Sequence, residues 1–229
     1  MPYRFPPPIH PEGWRFIPVF AVVALALFWL WQPLGWLGVA LTLGCAAFFR
    51  DPERVTPPEE GAVVSPADGI VLSTDRQPTP PELEMGEEPR QRISVFMSVF
   101  DVHVNRIAAG GRVAGVTHIA GRFFNASLDK ASTDNERTAI RLELADGSLI
   151  GMVQIAGLVA RRIRCDLAVG QEVAAGERFG LIRFGSRVDV YLPEGYAPAV
   201  LPGQRAVAGE TVVARKASPR RARSRPAGP

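Results

Sequence analysis

A mainly β domain of barrel or sandwich type, preceded by an apolar helical segment that associates with a membrane, is the fold class this sequence predicts. Three observations predict it. Residues 16–49 contain no charged side chain, and no later stretch carries a long helical period. From about residue 60 to 215, short runs rich in β-branched and aromatic residues alternate with turn-forming Gly, Pro, Asn and Asp. The 22 glycines and 21 prolines of the 229-residue chain punctuate apolar runs and form no low-complexity tract. This length suits one sizeable domain with an accessory segment.

Residues 1–11 are Pro-rich and aperiodic. The charge-free block that follows is bracketed by Arg15 and Arg50 and divided by Pro33 and Gly35 into two apolar runs of about 15 residues each. Each run is shorter than the roughly 20 residues one helix needs to cross a bilayer. One tilted span, two short helices in a re-entrant hairpin, and a buried hairpin of the core all fit. All four tryptophans (Trp14, Trp29, Trp31 and Trp36) fall in or beside the block, and tryptophan favours the membrane interface. A signal peptide fits poorly, because the block is too long and shows no small-residue cleavage site. Arg50, Arg54 and the basic C-terminal end favour a cytoplasmic leaflet through lipid charge. Residues 1–50 are therefore read as a membrane-associating segment, peripheral or shallowly inserted.

Residues 51–61 have the composition of a linker. Strand runs at 63–64 and 70–72 flank Pro66 and an Asp68-Gly69 turn. Residues 79–90 are polar and Pro-rich, hence a loop. The apolar run 93–100 delivers Asp101, His103, Asn105 and Arg106, and Gly110-Gly111 turns the chain into a strand at 113–119. Residues 121–137 read as a loop with many functional side chains. Strands are expected at 138–144, 149–156 and 158–165, the first alternating Ile140, Leu142 and Leu144 against Arg141 and Glu143 so that one face is buried. Gly170-Gln171-Glu172-Val173-Ala174-Ala175-Gly176-Glu177 is matched at most positions by Gly203-Gln204-Arg205-Ala206-Val207-Ala208-Gly209-Glu210. Two copies are too few for a solenoid but fit a barrel or sandwich built from similar hairpins. A domain over 51–215 would then be followed by a basic, disordered tail over 216–229.

The chemistry these residues offer is narrow. Cys45 and Cys165 are too few for a disulfide framework. His10, His103 and His118 show no metal-ligand spacing, so no metal is assigned, and a zinc site from Asp101, His103 and His118 lacks support. No Gly-rich phosphate loop is present, and no nucleic-acid partner is expected. A Ser-His-Asp hydrolase can be drawn from Ser186, His103 and Asp68, but no Gly-x-Ser-x-Gly elbow surrounds Ser186. Lys130 in a polar segment resembles the modified lysine of a carrier domain only loosely, because the glycine hairpins follow it. There remains Gly185-Ser186, between apolar runs at 179–184 and 188–192. The ordinary reading of such a pair is a strand kinked by glycine. The chemical reading is a serine hydroxyl poised near a preceding carbonyl that no side chain shields.

Several stretches, in order, resemble the phosphatidylserine decarboxylase proenzymes in their short prokaryotic form. They are Phe48-Phe49-Arg50-Asp51-Pro52-Glu53-Arg54, Ser65-Pro66-Ala67-Asp68-Gly69 and Phe96-Met97-Ser98-Val99-Phe100-Asp101-Val102-His103-Val104-Asn105-Arg106. Gly121-Arg122-Phe123-Phe124-Asn125-Ala126, Asp129-Lys130-Ala131-Ser132, Asn135-Glu136-Arg137 and Ala160-Arg161-Arg162-Ile163 follow, and then residues 176–189 around Gly185-Ser186. The resemblance spans residues 16–213.

It implies a self-processing enzyme that converts phosphatidylserine to phosphatidylethanolamine and carbon dioxide at the cytoplasmic face of a bacterial cell membrane. Ser186 would attack the Gly185 carbonyl, cut the chain into 1–185 and 186–229, and become a covalent pyruvoyl cofactor that forms a Schiff base with the substrate amine. The two products would stay together as a heterodimer, open to further oligomerisation. Asp68 matches an aspartate of the self-cleavage triad in the family's longer form, whose His-x-x-His is here His103 followed by Arg106. His103 is assigned proton donation or substrate orientation in decarboxylation, and a part in maturation. Arg106 is no base, since its guanidinium stays protonated. Arg161, Arg162 and Arg183 are candidates for the lipid phosphate.

Overall fold

A computed structural model describes residues 6–124, 126, 134–158, 162–183 and 185–217. Asn125, Lys130 with its neighbours 127–133, Arg161, Phe184 and the tail beyond 217 lie outside the described residues, so the expectations placed on them have no structural counterpart here.

The charge-free block forms two helices. A 3-10 turn over Pro11–Arg15 leads into α1 (Ile17–Leu30), and α2 (Gln32–Phe48) follows after a single extended residue, Trp31. Proline at the start of α2 lacks a donor that would be unsatisfied there anyway. The helices run antiparallel and close together. A Cβ on Gly38 would lie 2.7 Å from the Ala24 Cα, and one on Gly35 only 2.2 Å from the Phe28 ring. Phe28 meets Trp36 edge to face. The outer surfaces are apolar and open, with Trp29 95% exposed and Leu25, Leu30 and Leu43 each more than 60%. That exposure rules out the buried core hairpin. Pro11–Leu30 is long and apolar enough to cross a membrane by length and composition, and an all-round apolar helix requires an apolar surrounding.

The remainder is antiparallel β-structure with short connections. Its strands are β1 (Ala62–Val64), β2 (Gly69–Gln77), β3 (Arg90–Met97), β4 (Val104–Arg106), β5 (Gly111–Ile119), β6 (Arg137–Glu143) and β7 (Leu149–Ile155). They continue with β8 (Ile163–Cys165), β9 (Glu172–Val173), β10 (Arg178–Ile182), β11 (Ser186–Tyr191), β12 (Tyr196–Pro198), β13 (Arg205–Ala206) and β14 (Val212–Lys216). Eight strands in the order β13-β2-β3-β11-β7-β6-β5-β9 curl into a half-barrel. Two three-stranded sheets, β1-β14-β12 and β4-β10-β8, complete the domain. The expected mainly β barrel or sandwich-like domain with an N-terminal apolar helical segment is observed. Two expected strands end early, β3 at Met97 and β10 at Ile182; after β3 the chain turns where Asp101 accepts from the Ser98 N–H, which brings His103 inward.

The repeated glycine hairpins are structural equivalents at opposite edges of the large sheet. In each, a backbone N–H is accepted by the side chain of the glutamine immediately before the short strand (Ala168 to Gln171, 3.1 Å; Leu201 to Gln204, 2.8 Å), and the flanking glycines have φ of +88° and +78° in one copy, +89° and +75° in the other. The likeness extends through both halves of the sheet. Gly69 of β2 lies against the Phe96 carbonyl as Gly111 of β5 lies against that of Glu143, and each strand bulges two or three residues later. β13-β2-β3-β11 thus corresponds strand for strand to β9-β5-β6-β7.

β11 is buried along its whole length, between β3 and β7. Ser186, Val188 and Val190 share the face that packs with Ile93, Val95, Ile140, Leu142 and Met152. Arg187, Asp189 and Tyr191 point to the opposite face, under a cover that includes Leu83 and Met85. There the Asp189 carboxylate, fully buried, pairs with Arg187 (2.9 Å) and faces Arg92 (3.8 Å). The segment expected to be a linker is instead a packed strap. Asp51 accepts from Arg178 (2.8 Å) and faces Arg106 (3.6 Å), and Arg54 reaches Asp68 (2.8 Å). The polar and Pro-rich composition was misleading because Asp51, Glu53, Arg54 and Glu59 each have a partner distant in sequence. Arg215 and Lys216 likewise belong to β14, paired to Glu59 and Asp146.

Removing Asp189 takes the paired carboxylate from buried Arg187, while Arg92 keeps its ion pair to Asp75 (3.1 Å). In an uncut Ser186→Ala background, Asp189→Ala should lower the unfolding free energy by about 3–5 kcal/mol, read from urea melts; a loss below about 1 kcal/mol would mean that the cluster contributes little.

Candidate active site

Gly185-Ser186 lies at the head of the central strand. Gly185 has φ +60°, in the left-handed region that favours glycine. Its carbonyl is pressed against Gly157, where a Cβ would approach the Gly185 oxygen to 1.7 Å. Ser186 opposite Met97 opens β11; it is fully buried, and its Oγ has no hydrogen-bond partner among the described residues. A buried hydroxyl with no partner is costly, and a role in chemistry is one explanation for such an atom.

The other half of the sheet supplies an internal comparison. Gly147-Ser148 occupies the equivalent place, since Leu144, one residue after Glu143, donates to the Ser148 carbonyl (2.9 Å), as Met97, one residue after Phe96, lies opposite Ser186. Gly147 is also left-handed, at φ +76°. There the likeness ends. Ser148 Oγ is bonded to Asp146 (2.5 Å) in an exposed four-residue hairpin turn. The same dipeptide therefore occurs once as an ordinary turn and once with its hydroxyl buried and uncommitted.

His103 comes from the turn between β3 and β4. Asp101 holds that turn by accepting from the Ser98 N–H (2.9 Å) and hydroxyl (2.7 Å) and from Arg205. The ring is fully buried, 4.1 Å from the Phe48 ring at the end of α2. Its Nδ1 lies 2.9 Å from the Asp101 carbonyl. A carbonyl only accepts, so Nδ1 carries the hydrogen and Nε2 holds the lone pair. Nε2 is buried with no partner among the described residues. Burial pushes the imidazole pKa down to about 4, against the opposing pull of Asp101. His103 is thus neutral at physiological pH, with a free acceptor nitrogen.

Asp68 is nearly buried and engaged elsewhere. One oxygen accepts from Arg54 and the other from the Ala208 N–H, both at 2.8 Å. Burial raises its pKa, opposed by the Ala208 hydrogen bond and the Arg54 charge. No hydrogen bond among the described residues joins Asp68 to His103 or Ser186. Arg106 donates to the carbonyls of Gly176 (2.8 Å) and Pro52 (2.9 Å). Burial, and then neighbouring Arg178, lower its guanidinium to about 10, so it remains a cation and a clamp on the strap.

Three contributors were not singled out from the sequence. Gly157 makes room for the Gly185 carbonyl. Gln154 donates to buried Asn105 (2.8 Å), which in turn reaches the Met97 sulfur opposite Ser186 (3.5 Å). Asn135 ties both polar groups of Phe124 and the Ala156 carbonyl (2.7 Å) together beside Gly157. Only Asn135 and Asn105 gave a sequence signal, as amides within motif stretches; Gly157 looked like any other glycine. His118 bonds Thr138 (3.1 Å) on the partner strand, and His10 caps the first turn of the 3-10 helix, which leaves both outside the site.

Two outcomes follow. Gly157→Ala should displace the Gly185 carbonyl and slow cutting at Gly185-Ser186 by about tenfold or more, visible as persistence of the full chain on denaturing gels. The lowered His103 pKa means that the unfolded chain binds the extra proton first, so stability is complete above about 6.5 and declines as pH falls toward 4. His103→Asn in the uncut Ser186→Ala chain should remove that decline, worth up to about 3 kcal/mol, from a pH series of urea melts.

Comparison with known proteins agrees with this geometry. The family model for phosphatidylserine decarboxylase matches residues 41–214. Over 207 residues, 90% of this chain, it is 60% identical to the phosphatidylserine decarboxylase proenzyme of Paramagnetospirillum magneticum, covering 86% of that protein. It is 61% identical over the same length to the proenzyme of Beijerinckia indica (89% of that protein) and 58% to that of Ruegeria pomeroyi (94%). With Gly185-Ser186 at the head of the central strand of its sheet, this chain belongs to the phosphatidylserine decarboxylase family.

Proposed function

We propose that this decarboxylase cuts itself between Gly185 and Ser186, and that the pyruvoyl group so formed at position 186 converts phosphatidylserine to phosphatidylethanolamine at a membrane surface. The observation that carries the reading is the buried, unpartnered Ser186 hydroxyl beside a carbonyl confined by Gly157. Ser186 Oγ attacks the Gly185 carbonyl carbon, and the peptide nitrogen leaves as an amine. Elimination then removes the Ser186 Cα proton to a base as the serine Cβ–O bond of the ester breaks, forming the Cα=Cβ double bond and freeing the Gly185 carboxylate. The dehydroalanine left on 186 takes up water and releases ammonia, which ends the second chain in a ketone. His103 Nε2 is the best-suited acceptor for the hydroxyl proton, because its lone pair is uncommitted while Nδ1 is fixed by Asp101. Asp68 serves this site by holding Arg54 and the 206–210 turn in place.

The ketone at 186 supplies the electron sink for loss of carbon dioxide. The chain's own part is to exclude water and to hold a proton source. Ser186 is buried on the face of Val188 and Val190, and burial keeps His103 neutral until it receives a proton. The cut also explains why the fragments would remain a heterodimer. β11 is hydrogen-bonded to β3 on one side and β7 on the other, and one side of β14 to β1, so both of the second fragment's longest strands pair with strands of the first. The exposed apolar hairpin supports placement at a bilayer, where a diacyl substrate resides.

Intact-mass analysis under denaturing conditions tests the reading. Two fragments, 1–185 and 186–229, are expected, the smaller reacting with carbonyl reagents, while Ser186→Ala stays as one chain of 24.8 kDa. A wild-type chain that remains whole and takes no carbonyl adduct would overturn it.

A further inference from the structure

Phe16 has different chemistry on its two sides. On one side it lines an apolar groove of about 410 Å³, bounded also by Phe20, Leu41, Gly44, Phe48, Val99 and Phe100. Phe48 is the residue packed on His103. On the other, the Arg183 guanidinium lies 5.1 Å from the Phe16 ring centroid and belongs to a second cavity of about 380 Å³ lined by Glu12, Arg15, Arg162, Arg164 and Arg183.

The second cavity is built, not incidental. Glu12 is buried and accepts from Arg164 (2.8 Å) and Arg183 (2.5 Å), with Arg15 at 3.6 Å. One carboxylate thereby gathers three guanidinium groups at the foot of α1. Arg164 also pairs with Asp166 (2.8 Å), and exposed Arg162 has no partner among the described residues. Four arginines against two carboxylates leave an excess of two positive charges, which suits a phosphodiester and its bidentate recognition. The cavity also adjoins the active site. Ile182, the residue before Arg183, donates to the His103 carbonyl (3.4 Å) and pairs with Ile163 beside Arg162.

We infer that this arginine cavity binds the phosphodiester of a glycerophospholipid, with an acyl chain of the same molecule in the groove across Phe16. The inference rests on the proposed function for its link to turnover. The phosphodiester has two possible sources: the substrate itself, or an anionic lipid of the surrounding bilayer. A double substitution, Arg15→Gln with Arg162→Gln, spares the two arginines that Glu12 bonds directly.

Kinetics of the processed enzyme on short-chain phosphatidylserine dispersed as monomers, and sedimentation of the Ser186→Ala chain with phosphatidylcholine vesicles with and without phosphatidylglycerol, separate the sources. A KM raised about tenfold with kcat retained, and recovered in part by Arg162→Lys, identifies the substrate's phosphate. A loss of phosphatidylglycerol-dependent sedimentation with KM unchanged identifies a bilayer lipid. If neither quantity moves, the cavity binds no lipid phosphate and the inference fails, whatever the fate of the decarboxylase reading. A chain that neither cuts itself nor turns over the lipid, but whose sedimentation is lost on substitution, would overturn the proposed function and leave the cavity's role standing.

Discussion

The structure depends on one placement: the bond between Gly185 and Ser186 sits at the buried head of the strand that joins the two halves of the sheet. β11 has neighbours on both sides and cover on both faces. Its backbone groups are committed to β3 and β7, which fixes the Ser186 Cα, while the left-handed Gly185 before it is free to turn its carbonyl toward Gly157. Under the proposed self-cleavage, a fixed serine next to a carbonyl that Gly157 leaves room for is an arrangement in which proximity would replace much of the activation barrier. The same pairing would hold the fragments of the proposed cut together, since separating them would tear the centre of the sheet.

A second layer of organisation ties the apolar hairpin to this site. Phe49 is buried and stacks on Phe16, Phe48 covers His103, and Arg50 donates to the Phe100 carbonyl (2.7 Å) in the turn that carries His103. Asp51 and Arg54 continue the strap to Arg178 and Asp68. Within seven residues the chain passes from apolar helix to buried ion pairs on the edge of the active site. The hairpin is consequently not a detachable tether. Its inner end packs on His103 through Phe48, which also lines the apolar groove beside α1 and α2.

The two Gly-Ser pairs show what the fold adds to a dipeptide. Gly147-Ser148 and Gly185-Ser186 share residue types, a left-handed glycine and a place in corresponding halves of the sheet. Ser148 closes a four-residue turn and bonds Asp146. Ser186 enters the sheet from β10 of a different sheet, so its partner strand is distant in sequence and its hydroxyl is enclosed without a local acceptor. Reactivity follows from what surrounds the pair.

Hydrophobic periodicity and turn residues were enough to determine the class of fold and most of its strands, because alternation and glycine turns are local properties. The charge-free block declared its need for an apolar surrounding, and the ordered motifs pointed to Ser186, His103 and Asp68. Tertiary structure alone decided that the block folds as an antiparallel pair, since the fit of Gly35 and Gly38 against Phe28 and Ala24 is a contact between helices. It alone turned residues 51–54 from apparent linker into strap, gave Asp68 to Arg54, and left His103 Nε2 and Ser186 Oγ without partners among the described residues. Each of these is a pairing or an enclosure between residues far apart in the chain, and no local pattern encodes which distant group will occupy a side chain's remaining hydrogen bond.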